Sequence, residues 1–333
     1  MLKNATPLLA AGHEVAREQF VTGNWQDGMT TAKADAASDI VVEIDEKSGL
    51  IATYTIGGES VFEKWNGPEP YFWRAPTDND FGNKMPQKMG VWRQVQTNRR
   101  VQKCTVTDTE EGKRYEFDMV LSDIEQPYKL TYIVGKDGSI RTIAEMNTTG
   151  RKNLPELPRF GMRFIMPEGF ENVSYYGRGP EETTTDRKTS QLIGRYDNTV
   201  TGLHYSYIRP QFNGYHADTR NLSITNPKTG ITLTIDAAAT PFGFTAQHYS
   251  DEDMDPGLTR KMQHAIDLLP RRNTHVVIDN VQRGVGGDNS WGEQPHIEYR
   301  HWDGNYRLEM VFKLKSRRVN KLIKKQLTKK NNN

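Results

Sequence analysis

The chain has 333 residues, of which 10% are aromatic and 26% charged, a globular make-up with room for one large domain or two ordinary ones. No stretch approaches ~18 consecutive apolar residues, which excludes a membrane-spanning helix. The net charge of +2 comes from the basic end after Ser316; without the seven Lys and Arg there the balance is −5, and such a body offers no broad basic face for nucleic acid.

In chain order, the start "MLKNATPLLAAGHEVAREQF" has one lysine and a short apolar patch before turning polar, and reads as a poor signal peptide. Residues 12–23, "GHEVAREQFVTG", read as one strand, followed by the polar, Ala-rich "QDGMTTAKADAAS". A lone strand cannot bury its own face. Residues 1–35 therefore read as the end of a preceding domain and a linker. Residues 39–57, "DIVVEIDEKSGLIATYTIG", predict two strands joined by a turn at Lys47, Ser48 and Gly49. "CTVTDTEEGKRYEFDMVLS" (104–122) and "YKLTYIVGKDGSIRTIAEMN" (128–147) repeat that pattern. Cys104, the sole cysteine, excludes an internal disulfide framework and a cysteine-based zinc site. It fits a cytoplasm and is compatible with a periplasm.

"LSITNPKTGITLTID" (222–236) predicts a hairpin around Asn226-Pro227 and Thr229-Gly230. "THVVIDNVQRG" (274–284) and "YRLEMVFKLK" (306–315) complete the series. Helical candidates are few: a short piece around Leu258–Leu268, and the tail, where Val319, Leu322, Ile323 and Leu327 recur at helical spacing. Closely spaced strands with turn signals predict an all-β, antiparallel sandwich or barrel.

Four stretches carry candidate chemistry. "YFWRAPTDNDFG" (71–82) crowds four aromatics, an arginine and two aspartates together. Asp78 and Asp80 suit a cation or loop amides; a salt-bridged corner around Arg74 fits equally, and the spacing of a calcium loop is missing. "YYGRGPEETTTDRKTSQLIGRYDN" (175–198) offers Glu181 and Glu182, but neighbouring strand residues point to opposite faces, so a structural role is the better fit for them and for Asp186. "YIRPQFNGYHADTR" (207–220) has the amides, guanidiniums and rings that suit a sugar. Within it, His216 with Asp218 is either an oriented base or a hydrogen-bonded structural histidine. In "GGDNSW" (286–291), Gly, Asp and Asn are turn formers, and Trp291 is either a core ring after a turn or a ring presented to a ligand. No His-x-x-x-His spacing, P-loop or Gly-x-Ser-x-Gly occurs.

These motifs, with Trp92 ten residues beyond Gly82, occur in the order and with gaps compatible with the C-terminal portion of the large bacterial β-galactosidases of glycoside hydrolase family 2, which residues 5–315 resemble. The resemblance implies the end of an immunoglobulin-like domain and linker over 1–35, a large antiparallel β-supersandwich of the galactose mutarotase-like kind over 36–315, and a basic tail over 316–333 with no counterpart. It implies that the catalytic glutamates lie on a TIM barrel outside this chain. Magnesium and sodium then belong to the complete enzyme and no metal site to this part.

By the same resemblance, Trp291 stacks on the sugar, Gly82, Asn83 and Lys84 open a loop that moves over the active site, and Asp78, Asn79, Asp80, Arg178, Asn213 and Asp288 sit on supporting loops. The chain departs from the family at Thr183-Thr184, where many relatives have Asn-Tyr, at Phe212, where Glu is common, and in a shorter "GNKMPQKMGVW" loop. The implied function is completion of a β-galactosidase active site for retaining hydrolysis of terminal β-D-galactosides. The implied partners are a galactoside, the catalytic barrel in cis or in trans, and further subunits of an oligomeric enzyme. A small subunit of a hetero-oligomeric enzyme, a non-catalytic carbohydrate-binding module and a mutarotase-like epimerase are the alternatives.

Overall fold

The computed structural model describes residues 1, 3–20, 22–25, 39–289 and 291–316. The strands up to the first helical turn are β1 (Ile40–Asp45), β2 (Leu50–Ile56), β3 (Glu59–Ser60) and β4 (Glu69–Tyr71). Two short helices follow, α1 (Asp78–Gly82) and α2 (Met85–Lys88). Then come β5 (Arg99–Asp108), β6 (Gly112–Leu121), β7 (Gln126–Gly135), β8 (Ile140–Asn147), β9 (Arg159–Met166), β10 (Asn172–Gly179) and β11 (Leu192–Thr199). The helix α3 (Val200–Leu203) leads to β12 (His216–Thr219), β13 (Asn221–Thr225), β14 (Ile231–Ala237) and β15 (Phe242–Gln247). The chain closes with α4 (Asp251–Met254), β16 (Thr274–Gln282) and β17 (Asn305–Ser316).

The strands pair into three antiparallel sheets. Nine strands run in the order β11-β10-β13-β14-β17-β8-β7-β6-β5, five in the order β12-β15-β16-β9-β4, and β1-β2-β3 form a small third sheet. Alternation dictates the layering. Phe160, Met162, Phe164 and Met166 of β9 and Val276 and Ile278 of β16 point inward, and so do Leu308, Met310, Phe312 and Leu314 of β17. The two large sheets meet through those rings: Phe164 lies 5.9 Å from Phe312, Phe160 5.5 Å from Tyr306, and Tyr175 5.3 Å from Phe244. This is sheet-on-sheet packing over one apolar core. The predicted turns form as the side chains dictate: Asp45 accepts from the amides of Lys47 and Ser48, and Asn226 accepts from those of Lys228 and Thr229.

Two local expectations need correction. Among the described residues of 12–23 no strand forms; the segment is exposed and has no ladder partner. Its contact is instead side chain to backbone, where the Gln19 amide donates to the Ile193 carbonyl (2.8 Å) and accepts from its N–H (2.6 Å) on the outer edge of β11. The helix expected over 258–268 reduces to a single turn at Ala265–Asp267. Leu268 turns inward against Phe212 and Met254, while Leu258, Met262 and Ile266 face solvent, so no apolar stripe is packed to stabilise a helix there. The tail helix and most of the linker lie outside the described residues.

Candidate functional site

The "RAPTDND" corner is built on a buried ion cluster. The Arg74 and Asp80 side chains are both fully buried, with Nη1 donating to Oδ2 at 2.5 Å and Nη2 to Oδ1 at 3.2 Å. Asp80 also accepts from the Thr77 amide (2.8 Å) and hydroxyl (2.9 Å), which caps α1 reciprocally. From the far end of the chain, Arg283 donates to Asp80 at 3.1 Å and to Glu156 at 2.5 Å. Burial opposes ionisation of Asp80, but the two guanidiniums and the Thr77 amide outweigh it and hold the carboxyl below its ordinary value.

That cluster fixes the base of the loop carrying "GGDNSW". Arg74 and Arg283 both donate to the Gly284 carbonyl, at 3.3 and 3.4 Å, and Asn79 donates to Val285 at 3.4 Å. On the other flank the carboxylate of Asp186 accepts from the Gly286 amide at 2.8 Å. Asp288 lies 2.8 Å from Nε2 of His296, whose pKa is raised by that hydrogen bond. At the tip Trp291 is 89% exposed, and its amide donates to the Asn289 side chain at 2.9 Å. A core position for this ring is thereby excluded within the chain. Beside it, the backbones of Gly82 and Gly292 touch: a Cβ on Gly82 would lie 2.6 Å from the Gly292 Cα.

The four motifs converge on one cleft of about 480 Å³. Its walls come from Thr77–Asn79, from 182–187, from Tyr207 and 211–213, and from Val285–Asp288. Glu182 ties the walls together: it accepts from Tyr207, from Arg187 at 2.8 Å and from the Gly214 amide at 2.7 Å. Asn213 is buried, accepts from the Tyr205 amide at 3.0 Å and from Gln247 at 2.8 Å, and closes the inner end.

Of the residues singled out in the sequence, Asp78, Asn79, Asn213 and Asp288 line this cleft. Asp80 lies beneath it, and Gly82, Asn83 and Lys84 lead from α1 into α2 with Asn83 buried and Lys84 at φ 64°. Trp291 does not line the cleft; it is exposed three residues beyond Asp288 on the same loop. Arg178 is elsewhere, bound to Asp218 at 2.5 Å and to the carbonyls of Lys188 and Gln191. His216 is not a base. It is buried against Tyr175 and Phe244 with Nδ1 3.2 Å from the Arg178 carbonyl oxygen, and burial pushes its pKa down to about 4. Its neighbour Asp218 is committed to Arg178 and Lys188.

Among the described residues no group of three or more His, Cys, Asp or Glu is arranged to hold a metal ion. Asp80 is saturated by guanidinium and hydroxyl donors, and Asp78 pairs with Arg209 at 2.9 Å, so these acids do not fit a metal site. Sequence reasoning missed Glu156 and Arg283. Their one visible signal was charge set among apolar or turn residues, in "LPELPR" and "VQRGVGG".

Residues 36–312 match the family model described as "Beta galactosidase small chain". The chain belongs to that family. It is 30% identical over 320 residues to the β-galactosidase of Priestia megaterium and 30% identical over 318 residues to that of Streptococcus thermophilus. Each alignment covers 90% of this chain and 29% of the relative, so the chain spans under a third of their length. Among solved structures it is similar to galactose 1-epimerase from Lactobacillus acidophilus NCFM (TM-score 0.46, 7% identity, 85% of this chain and 92% of that one). It is also similar to a galactose mutarotase-like protein from Lactobacillus casei ATCC 334 (TM-score 0.43, 10% identity, 84% and 98%).

Proposed function

We propose that this chain is the C-terminal part of a β-galactosidase and completes the active site of a TIM-barrel portion that it does not itself contain. The observation that carries this reading is the loop of 284–292. An elaborate buried cluster, Arg74, Asp80, Arg283 and Glu156, holds its base, yet the ring at its tip is left 89% exposed. A large displayed ring beside a polar cleft suits a sugar, because the C–H face of a pyranose packs on an aromatic face and a ring buries ~150–250 Å² in all. On this reading Trp291 stacks on the galactoside, the Gly82–Lys84 segment adjusts around it, and Asp78, Asn79, Asn213 and Asp288 shape the surrounding loops.

The chemistry of the assembled enzyme is retaining hydrolysis through a covalent glycosyl-enzyme, with two carboxyls ~5–5.5 Å apart supplied by the partner. Here Glu181 and Glu182 do not take those roles, since Glu182 is bound to Arg187, Tyr207 and Gly214. Magnesium and sodium would belong to the complete enzyme, as the family resemblance implies. The partner is joined in cis, as in the longer relatives, or in trans, as the small-chain description of the family suits. The test is complementation. The purified chain should not hydrolyse an aryl β-galactoside, and adding the barrel-containing portion should restore hydrolysis. Robust hydrolysis by the chain alone would overturn the reading.

A further inference from the structure

Behind Asn213 lies a second cleft, of about 280 Å³, on the outer face of the five-stranded sheet. Asn213 lines both clefts and is the wall between them. The inner face of this sheet is apolar: Met162, Phe164, Val276, Ile278 and Phe244 all enter the core. The outer face is not. Pairing sets Glu69, Arg163, Val277 and Thr245 in one row across β4, β9, β16 and β15, and Ile165, His275 and Gln247 in the next. The segment 249–254 and the 213 loop stand over these rows.

The charges of this cleft exclude an ionic ligand. Arg163 is bound to Glu69 at 2.8 Å and to Glu252, Arg271 to Asp253 at 2.6 Å, and Asp251 to Arg159 at 3.1 Å. Each charged side chain that lines it therefore already has its counter-ion. What stays open are acceptor and donor positions: the spare lone pairs of Glu69 and Glu252, the Thr245 hydroxyl, and Nε2 of His275, which is buried without a hydrogen-bond partner. An orphaned buried imidazole nitrogen is costly unless a ligand or water satisfies it. Burial and the nearby Arg271 keep His275 neutral, its pKa pushed down to about 4, so it can donate or accept. A ligand that is uncharged, carries several hydroxyls and fills the space of one ring meets all of these demands.

We propose that this second cleft binds one neutral monosaccharide in its pyranose form, through its hydroxyls, at Glu69, Glu252, Thr245 and His275. The site does not depend on the completion of a catalytic partner, and its test uses the chain alone. D-galactose is titrated into the full Trp291→Ala chain, which lacks the displayed ring of the first cleft, and ligand-observed NMR reads the dissociation constant. Saturable binding is expected, weakened about tenfold or more by Glu252→Gln and by His275→Phe. Glu252 is half exposed, so its variant reports on the site even if His275→Phe disturbs folding. D-galactose 6-phosphate should bind at least tenfold more weakly than D-galactose, since no lining cation is free for it. The proposal is overturned by no saturable binding, by binding that neither substitution changes, or by equal binding of the phosphate. Failure of complementation with these results intact would sink the proposed function and leave this site standing.

Discussion

Gly82 and Gly292 lie backbone against backbone. A Cβ on Gly292 would stand 2.4 Å from the Gly82 carbonyl carbon, and Gly292 itself sits at φ 104°, where a side chain is strained whatever the space. The end of α1 and the Trp291 loop are thus in direct contact, and any movement of one must be followed by the other. Gly292→Ala should release the loop at a cost of about 1–3 kcal/mol. Amide exchange at 285–292 should quicken while the β-sheet amides remain protected. Unchanged exchange would show that the contact does not hold the loop.

Asp80 is the single anion between two fully buried guanidiniums. Asp80→Asn leaves Arg74 without an ionised partner and Arg283 with Glu156 alone. The expected loss in unfolding free energy is about 3–5 kcal/mol, read from urea denaturation at pH 7. The pH dependence follows from the direction of the shift. The carboxyl is held below its ordinary value, so its contribution is complete above the unfolded pKa of about 3.9 and disappears as pH falls through the lower folded value. Wild type and variant should therefore converge in stability only in strong acid.

The sequence made the strands legible because alternation with turn residues at the gaps has one physical reading. β1–β2 and β13–β14 form where Lys47-Ser48-Gly49 and Asn226-Pro227 predict them. The corner of Arg74 and an acid was visible as one of two readings of "RAPTDND". What local sequence could not carry was pairing across the chain. Asp80 meets Arg283 and Asp186 meets Gly286 only because the sandwich brings 74–80, 182–187 and 283–288 to one end. The strand expected at 12–23 is missing among the described residues for the same reason in reverse, since a period-2 pattern needs a neighbouring strand and none of the described strands pairs with it.

A second buried cluster lies beside the second cleft, which Tyr71 and Asp251 line. Arg159 is bound to Asp251 at 3.1 Å and Asp279 at 3.0 Å, while Tyr71 donates to Asp251 and Tyr215 to Asp279. Two buried carboxyls share one guanidinium, so burial pushes Asp279 up to about 7 despite the pull of Arg159 and Tyr215. A raised folded pKa means that the favourable contribution is present below the unfolded value of about 3.9 and is lost as pH rises through about 7. The stability of wild type minus that of Asp279→Asn should fall by roughly 2–4 kcal/mol between pH 4 and pH 8. A flat difference across that range would contradict the assignment.

His296 provides a milder pH dependence at the rim. Its hydrogen bond to Asp288 raises its pKa, so the pair is fully formed below the ordinary histidine value and dissolves as pH rises through the folded one. In an NMR titration of the His296 ring, Asp288→Asn should bring the midpoint down. An unmoved midpoint would mean that the pair does not form in solution.

The ring of Trp291 carries the central claim, and steady-state kinetics of the assembled enzyme test it most directly. With the barrel portion supplied, Trp291→Ala should raise KM for an aryl β-galactoside about tenfold while kcat changes far less, because stacking contributes to binding and the carboxylates of the partner perform the chemistry. A KM equal to that of wild type would contradict the account and leave the exposed ring without a role in the galactoside site.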